Sequence, residues 1–207
     1  FIRFWYCCTR YQNLIKQFLQ DLLDELKDKK FVRESILKKF KNNYNKDIED
    51  FLHNKAIEFE KAGLSSTHLV FSDDFILLGY FSLANKPLLI SKRNYEALSK
   101  SQRKKLCQNG KRLTTDGYIV NSYLLGQIGK NHSEQVKSEN YIDGAQLLTL
   151  AYDSLMEAKK IVNVRYVWLE CEDNEKLLSF YKNFGFEEIE SFISGNGLKV
   201  LVMKLKK

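Results

Sequence analysis

Proline is nearly missing from this chain: there is one among 207 residues, with only ten glycines. So few breakers point to regular elements and few long loops. Cysteine and histidine are scarce too. Cys7, Cys8, Cys107 and Cys171 form no Cys-x-x-Cys pair, and His53, His68 and His132 do not stand at ligand spacing beside them. That speaks against a metal site and a disulfide framework, and it fits a reducing, cytoplasmic setting. No apolar run approaches the ~20 residues of a membrane span, so no membrane partner is expected. The first eight residues are apolar but too short for a secretory signal, and they are set aside from the functional reading.

What the chain does have is enough apolar material for a core, 44% hydrophobic and 13% aromatic residues. Its length suits one domain with an appendage. Lys and Arg outnumber Asp and Glu by 33 to 26, a net charge of +7. That balance favours acidic partners, either a phosphate-bearing cofactor or nucleic acid. A lysine-rich solubilising surface explains it equally well.

Apolar residues recur at helical spacing over residues 11–29, with Leu14, Ile15, Phe18, Leu19, Leu22, Leu23 and Leu26 on one face. A second helix is expected over residues 34–44. A third is expected over 47–62, with Asp47 as its cap and Gly63 as its stop. A hairpin follows, with strands over 68–72 and 75–83 turning at Asp73-Asp74. Residues 92–112 read as a basic helix carrying Lys100, Arg103, Lys104, Lys105, Lys111 and Arg112. It fits a solvated face or a phosphate- or tRNA-facing patch, and no RNA-binding motif accompanies it. Residues 118–131 read as a buried central strand, and Leu198 opens a final one.

Residues 164–186 carry the most specific signal. Val164, Tyr166, Val167, Trp168 and Leu169 form a β-favouring run, and Glu170 to Asn174 turn polar. Leu177, Leu178 and Tyr181 follow at helical spacing, and Gly185 stops that helix. In open α/β sheets the carboxyl end of such a strand is where ligands bind.

This stretch resembles the C-terminal signature of the GCN5-related N-acetyltransferases: an apolar strand, then Asn174, then Phe180-Tyr181, then Gly185-Phe186. The helix and hairpin before it also look like the front half of that family. The resemblance covers residues 46–207. It implies an α/β fold: one acetyltransferase-like domain with a central mixed, splayed β-sheet flanked by helices. Residues 1–45 would form an N-terminal helical extension that covers the core or offers a partner surface.

The resemblance also implies roles. The pantetheine arm of acetyl-CoA would pair with Ile128, Gly129 and Lys130, Gly129 allowing close backbone approach. Leu147-Leu148 sets the register of the phosphate loop, so Gly144 matches its last small residue. Asn140, Tyr141, Ile142, Gly144 and Ala145 would then surround the pyrophosphate. Glu139 and Ile142 depart from the family, which has Gln or Arg and Gly there, and the connection is longer. Tyr181 would be the general acid for the leaving thiolate, since a phenol keeps its proton at pH 7. Asn174 would hold the pantetheine or cap its helix, with Phe180 beside it. Glu170 is the candidate base, with Glu172 and Asp173 as competitors. Cys171 is expected to be a semi-buried thiol, and no metal is implied.

Three functions follow. The first is direct acetyl transfer from acetyl-CoA to a primary amine by a cytoplasmic monomer or homodimer. The second is the toxin branch of the family, which acetylates aminoacyl-tRNA and so takes tRNA as partner. The third is a non-catalytic binding module on the same fold, suggested by Glu139 and Ile142.

Overall fold

The computed structural model describes residues 14–108, 110–136, 141–192 and 194–206. The elements begin with β1 (Leu14–Phe18), α1 (Leu19–Leu26), α2 (Lys29–Ser35), a 3₁₀ turn at Leu37–Lys39 and α3 (Lys46–Asp50). A π-helical stretch, Phe51–Lys55, joins α3 to α4 (Ala56–Lys61). Then come β2 (Ser66–Ser72), β3 (Leu77–Ala84), β4 (Leu88–Ile90), α5 (Lys92–Ala97), α6 (Lys100–Cys107), β5 (Lys111–Arg112) and β6 (Tyr118–Val120). The remainder is β7 (Ser122–Lys130), α7 (Gly144–Ile161), β8 (Tyr166–Cys171), α8 (Glu175–Phe184), β9 (Glu187–Glu188) and β10 (Lys199–Lys204).

A mixed seven-stranded sheet has the order β1-β2-β3-β7-β8-β10-β9, and a three-stranded sheet has the order β4-β6-β5. The chain divides into two compact units. The first runs to Ala84 and resumes over Gly126–Asp153. The second comprises Asn85–Leu125 and Ser154–Lys207.

In the first unit β1 pairs antiparallel with β2, and β2 with β3. Here the sequence expectation needs correction. Residues 14–18 satisfy the helical period, yet they form an edge strand. Their backbone groups find partners in β2, from Leu14↔Ser72 to Phe18↔His68, and only Leu19–Leu26 is helical. The expected helix over 34–44 shrinks to the end of α2 and the 3₁₀ turn. The third helix is present, but Asn45 caps it, its side chain accepting from the Asp47 N–H. Gly63 ends that stretch at φ +65°, where a side chain would be strained. The core of this unit gathers Leu19, Val32, Leu37, Phe40, Leu52, Ala56, Leu69 and Tyr80, all fully buried.

In the second unit β8 pairs antiparallel with β10, from Lys199↔Cys171 to Lys204↔Tyr166. The single basic helix expected over 92–112 is two helices and a short strand. Ser99 interrupts it with a capping box: its hydroxyl accepts from the Gln102 N–H, and the Gln102 side chain accepts from the Ser99 N–H. The expected strand over 118–131 breaks at Asn121, so that β6 joins the small sheet and β7, ending at Lys130, the large one. Trp168, Tyr166, Val200, Ile90 and Leu106 form this unit's core. The Trp168 indole N–H donates to the Lys86 carbonyl at 2.9 Å.

The parallel ladder between β7 and β8 covers only Ser122↔Tyr166, Tyr123↔Val167 and Leu124↔Trp168. β7 runs on to Lys130 beyond it. This is the splay that the sequence resemblance implied.

Candidate active site

In the first unit the far end of β7 is fastened by one asparagine. The Asn131 side-chain oxygen accepts from the Lys41 N–H and the Ser133 N–H, each at 2.9 Å. Its amide donates to the Leu77 carbonyl at 2.7 Å, and its backbone N–H to Leu78 at 2.8 Å. The His132 N–H donates to the Lys41 carbonyl at 2.8 Å, and the Asn42 amide to the Lys130 carbonyl. The segment before α3 is thereby tied to the residues that leave β7. Next to this knot is a cavity of about 330 Å³, walled by Asn43, Lys130, His132, Ser133, Tyr141 and Ile142 among others. His132 Nδ1 and Ser133 Oγ are buried and have no hydrogen-bond partner.

Lys130, Tyr141 and Ile142, three residues chosen from sequence, therefore meet at one cavity. Ile128 and Gly129 stand on the same strand. A Cβ at Gly129 would collide with Ile48 and press on the Phe40 ring, so the close approach at this glycine is made by the protein's own α3. Gly144 and Ala145 open α7. Asn140 and Glu139 lie outside the described residues. Asp143 caps α7 in a reciprocal box: its carboxylate accepts from the Gln146 N–H at 2.7 Å, and the Gln146 side chain accepts from the Asp143 N–H at 2.9 Å. A carboxylate thus already occupies the positive end of this helix.

In the second unit β8 ends at Cys171, and Asn174 caps α8. The Asn174 side-chain oxygen accepts from the Lys176 and Leu177 N–H groups at 3.0 and 3.2 Å. Gly185, at φ +117°, ends α8, and the Phe186 N–H donates to the Tyr181 carbonyl. Tyr181 is buried. Its ring meets Phe180 and Phe186 edge-on, at centroid separations of 5.1 and 5.8 Å. Burial pushes its phenol well above the ordinary tyrosine value, and the neighbouring Cys171 adds to the shift. Burial also pushes the Cys171 thiol up to about 11, helped by the carboxylates of Glu188, Asp173 and Glu172. Glu170 is exposed on β8, opposite Val200.

Sequence reasoning took Asn131 as the end of the central strand and passed over His132 and Ser133 as site residues. The only signal is a run of polar residues straight after an apolar strand, which an ordinary loop also carries. It also passed over Asn43, because nothing local ties the segment before α3 to the end of β7. Among the described residues no group of three or more His, Cys, Asp or Glu could hold a metal ion, and no helix is long and apolar enough to cross a membrane.

No family model and no curated protein matches the chain. Solved structures do match. AtaT complexed with acetyl-methionyl-tRNAfMet is 19% identical with a TM-score of 0.59, over 93% of this chain and 95% of that one. A tyrosine-to-phenylalanine variant of KacT is 19% identical with a TM-score of 0.60, over 94% and 96%. AtaTR bound with AcCoA is 16% identical with a TM-score of 0.56, over 94% and 95%. The order of strands, the short β7–β8 ladder and this likeness agree: the chain has the fold of the GCN5-related N-acetyltransferases.

Proposed function

We propose that this protein is an acetyl-CoA-dependent N-acetyltransferase and that its acceptor is the amino group of an aminoacyl-tRNA. The observation that carries the reading is the likeness, along nearly the whole of both chains, to AtaT solved with acetyl-methionyl-tRNAfMet and to AtaTR solved with AcCoA. The net charge of +7 suits a polyanionic acceptor.

The residues fit the cofactor. The unpartnered donors and acceptors at the end of β7, with Lys130 beside them, suit a phosphate group. Ile128, Gly129 and Lys130 would pair with the pantetheine arm, their strand having left its β8 ladder at Leu124. Tyr141, Ile142, Gly144 and Ala145, with Asn140, would surround the pyrophosphate. Acetyl-CoA, when bound, supplies a thioester that an amine can attack. Tyr181 keeps its phenolic proton at every pH near neutrality, and that proton would go to the departing sulfur. Asn174 shapes the start of α8 and so sets where Tyr181 stands, with Phe180 packed against it. Glu170 would take the proton from the acceptor amine, directly or through water.

One observation favours the binding-module reading instead: the Asp143 carboxylate sits at the start of α7, where a pyrophosphate would be received. Titration with acetyl-CoA followed by a thiol-release assay with charged tRNA separates the two. Binding together with thiol release supports the enzyme. Tight binding without release, or no binding, refutes it.

A further inference from the structure

His132 stands where β7 gives way to the loop before α7, and it is unusually placed for a histidine. Its backbone N–H is spent on the Lys41 carbonyl, and its ring meets Tyr44 edge-on at 5.1 Å. Tyr44 is 87% exposed, so the ring pair reaches the surface and lies outside the core. Nδ1 is buried without a partner, and so is Oγ of Ser133 beside it. Leaving polar atoms on two successive residues unmatched is costly in a finished core and fits a place where a ligand completes the set. Both residues wall the cavity that Lys130 and Tyr141 also line.

We propose that His132 is a side-chain phosphate ligand, with Ser133 as its companion donor, and that cofactor binding brings a proton to its ring. The inference rests on the acetyl-CoA reading above and adds to it which residues take the phosphate and what that does to pH dependence. A phosphate oxygen only accepts, so Nδ1 must carry a hydrogen to meet it. In the free protein the ring is held neutral, first by burial and then by the Lys130 charge. A hydrogen bond with the Lys41 backbone pulls the other way. A negatively charged phosphate oxygen at Nδ1 reverses the balance and favours the imidazolium. The ring is then doubly protonated, with one N–H toward Lys41 and the other toward the phosphate. The bound value rises above the free value, so affinity grows as pH falls through the bound value and levels off below the free one. In this way side-chain donors would do what a glycine-rich loop does with backbone donors, at a helix start that Asp143 already caps.

The test is calorimetric titration with acetyl-CoA at pH 7 in two buffers of different ionisation enthalpy. The inference expects a net uptake of protons by the full chain when the cofactor binds. His132→Gln should abolish the uptake and weaken binding by roughly 10-fold, within the range for losing a hydrogen bond to a charged group. Ser133→Ala should weaken binding and keep the uptake. S-acetylpantetheine, which lacks the phosphates, should bind with no uptake to either protein. Circular dichroism of His132→Gln confirms that it is folded, and the uptake by the unaltered chain stands without any variant. Binding of acetyl-CoA with no proton uptake, or with equal affinity in His132→Gln, overturns the role of His132 and leaves the acetyltransferase reading in place. No binding of acetyl-CoA at all overturns both.

Discussion

Tyr181 and Cys171 sit side by side at the end of β8 and the face of α8, and burial pushes both away from ionisation. For the phenol this means a proton kept at neutral pH on an acid weaker than a free tyrosine, and the proposed function gives that proton to the sulfur. Replacing Tyr181 by Phe removes only the hydroxyl, and the ring contacts with Phe180 and Phe186 survive. Turnover in Tyr181→Phe should fall by roughly 10²–10⁴-fold, the usual effect of losing a general acid, while the acetyl-CoA dissociation constant stays the same. Because the phenol is raised above its ordinary value, it contributes no falling limb to the pH–rate profile up to about pH 10. A limb below that pH which disappears in Tyr181→Phe would contradict this. For the thiol, a value of about 11 leaves little thiolate at pH 8. Alkylation of Cys171 in the folded protein should be roughly 10²-fold slower than in denaturant, as followed by peptide mass spectrometry. Fast labelling at pH 8 would reopen Cys171 as an acyl acceptor.

Among the elements, β2 carries a histidine that the chemistry does not use. His68 is buried between the rings of Phe18 on β1 and Phe81 on β3, at centroid distances of 4.5 and 4.6 Å. Burial, and next the charge of Lys16, lower its value to about 3. The unfolded ring takes up a proton below about pH 6.5 while the folded ring stays neutral, so stability falls as pH falls below that value. Between pH 7 and pH 5 the loss attributable to His68 should be about 2 kcal/mol, and urea titrations of His68→Phe should show a flatter acid dependence. Parallel slopes in the two proteins would remove His68 from the account. The same strand shows why some of the fold was legible and some was not. β2, β3 and the β8–α8 segment announce themselves locally, by a β-branched or aromatic run, an Asn174 cap and a Gly185 stop. β1 does not, because Leu14, Ile15 and Phe18 fit a helix as well as a strand. Its pairing with Ser72–His68 lies some fifty residues away, and only tertiary context decides it. The break at Asn121 and the cap at Ser99 were visible as residues, but they were outweighed by apolar or basic runs that continue across them. At the candidate site Lys130, Tyr141 and Ile142 could be read from the family pattern. His132, Ser133 and Asn43 could not, since only the Asn131 knot brings them together.

At the scale of the whole molecule the account joins a fold, a cofactor and a polyanion. The excess of 33 basic over 26 acidic residues predicts that association with tRNA weakens steeply with salt, as counterions released from the phosphates drive it. Binding measured from 50 to 200 mM salt should fall at least 10-fold if three or more phosphates are contacted, and salt-independent association would leave a small amine or a protein lysine as acceptor. The central claim is acetyl transfer, and the most direct measurement is a single incubation of the purified chain with acetyl-labelled acetyl-CoA and a pool of charged tRNA, followed by mass analysis of the amino acids released from it. The account predicts N-acetylated aminoacyl groups in the tRNA fraction, formed with the unaltered chain and nearly lost with Tyr181→Phe. Label that stays on acetyl-CoA, in a protein that binds it tightly, would contradict the account and leave a binding module on an acetyltransferase fold.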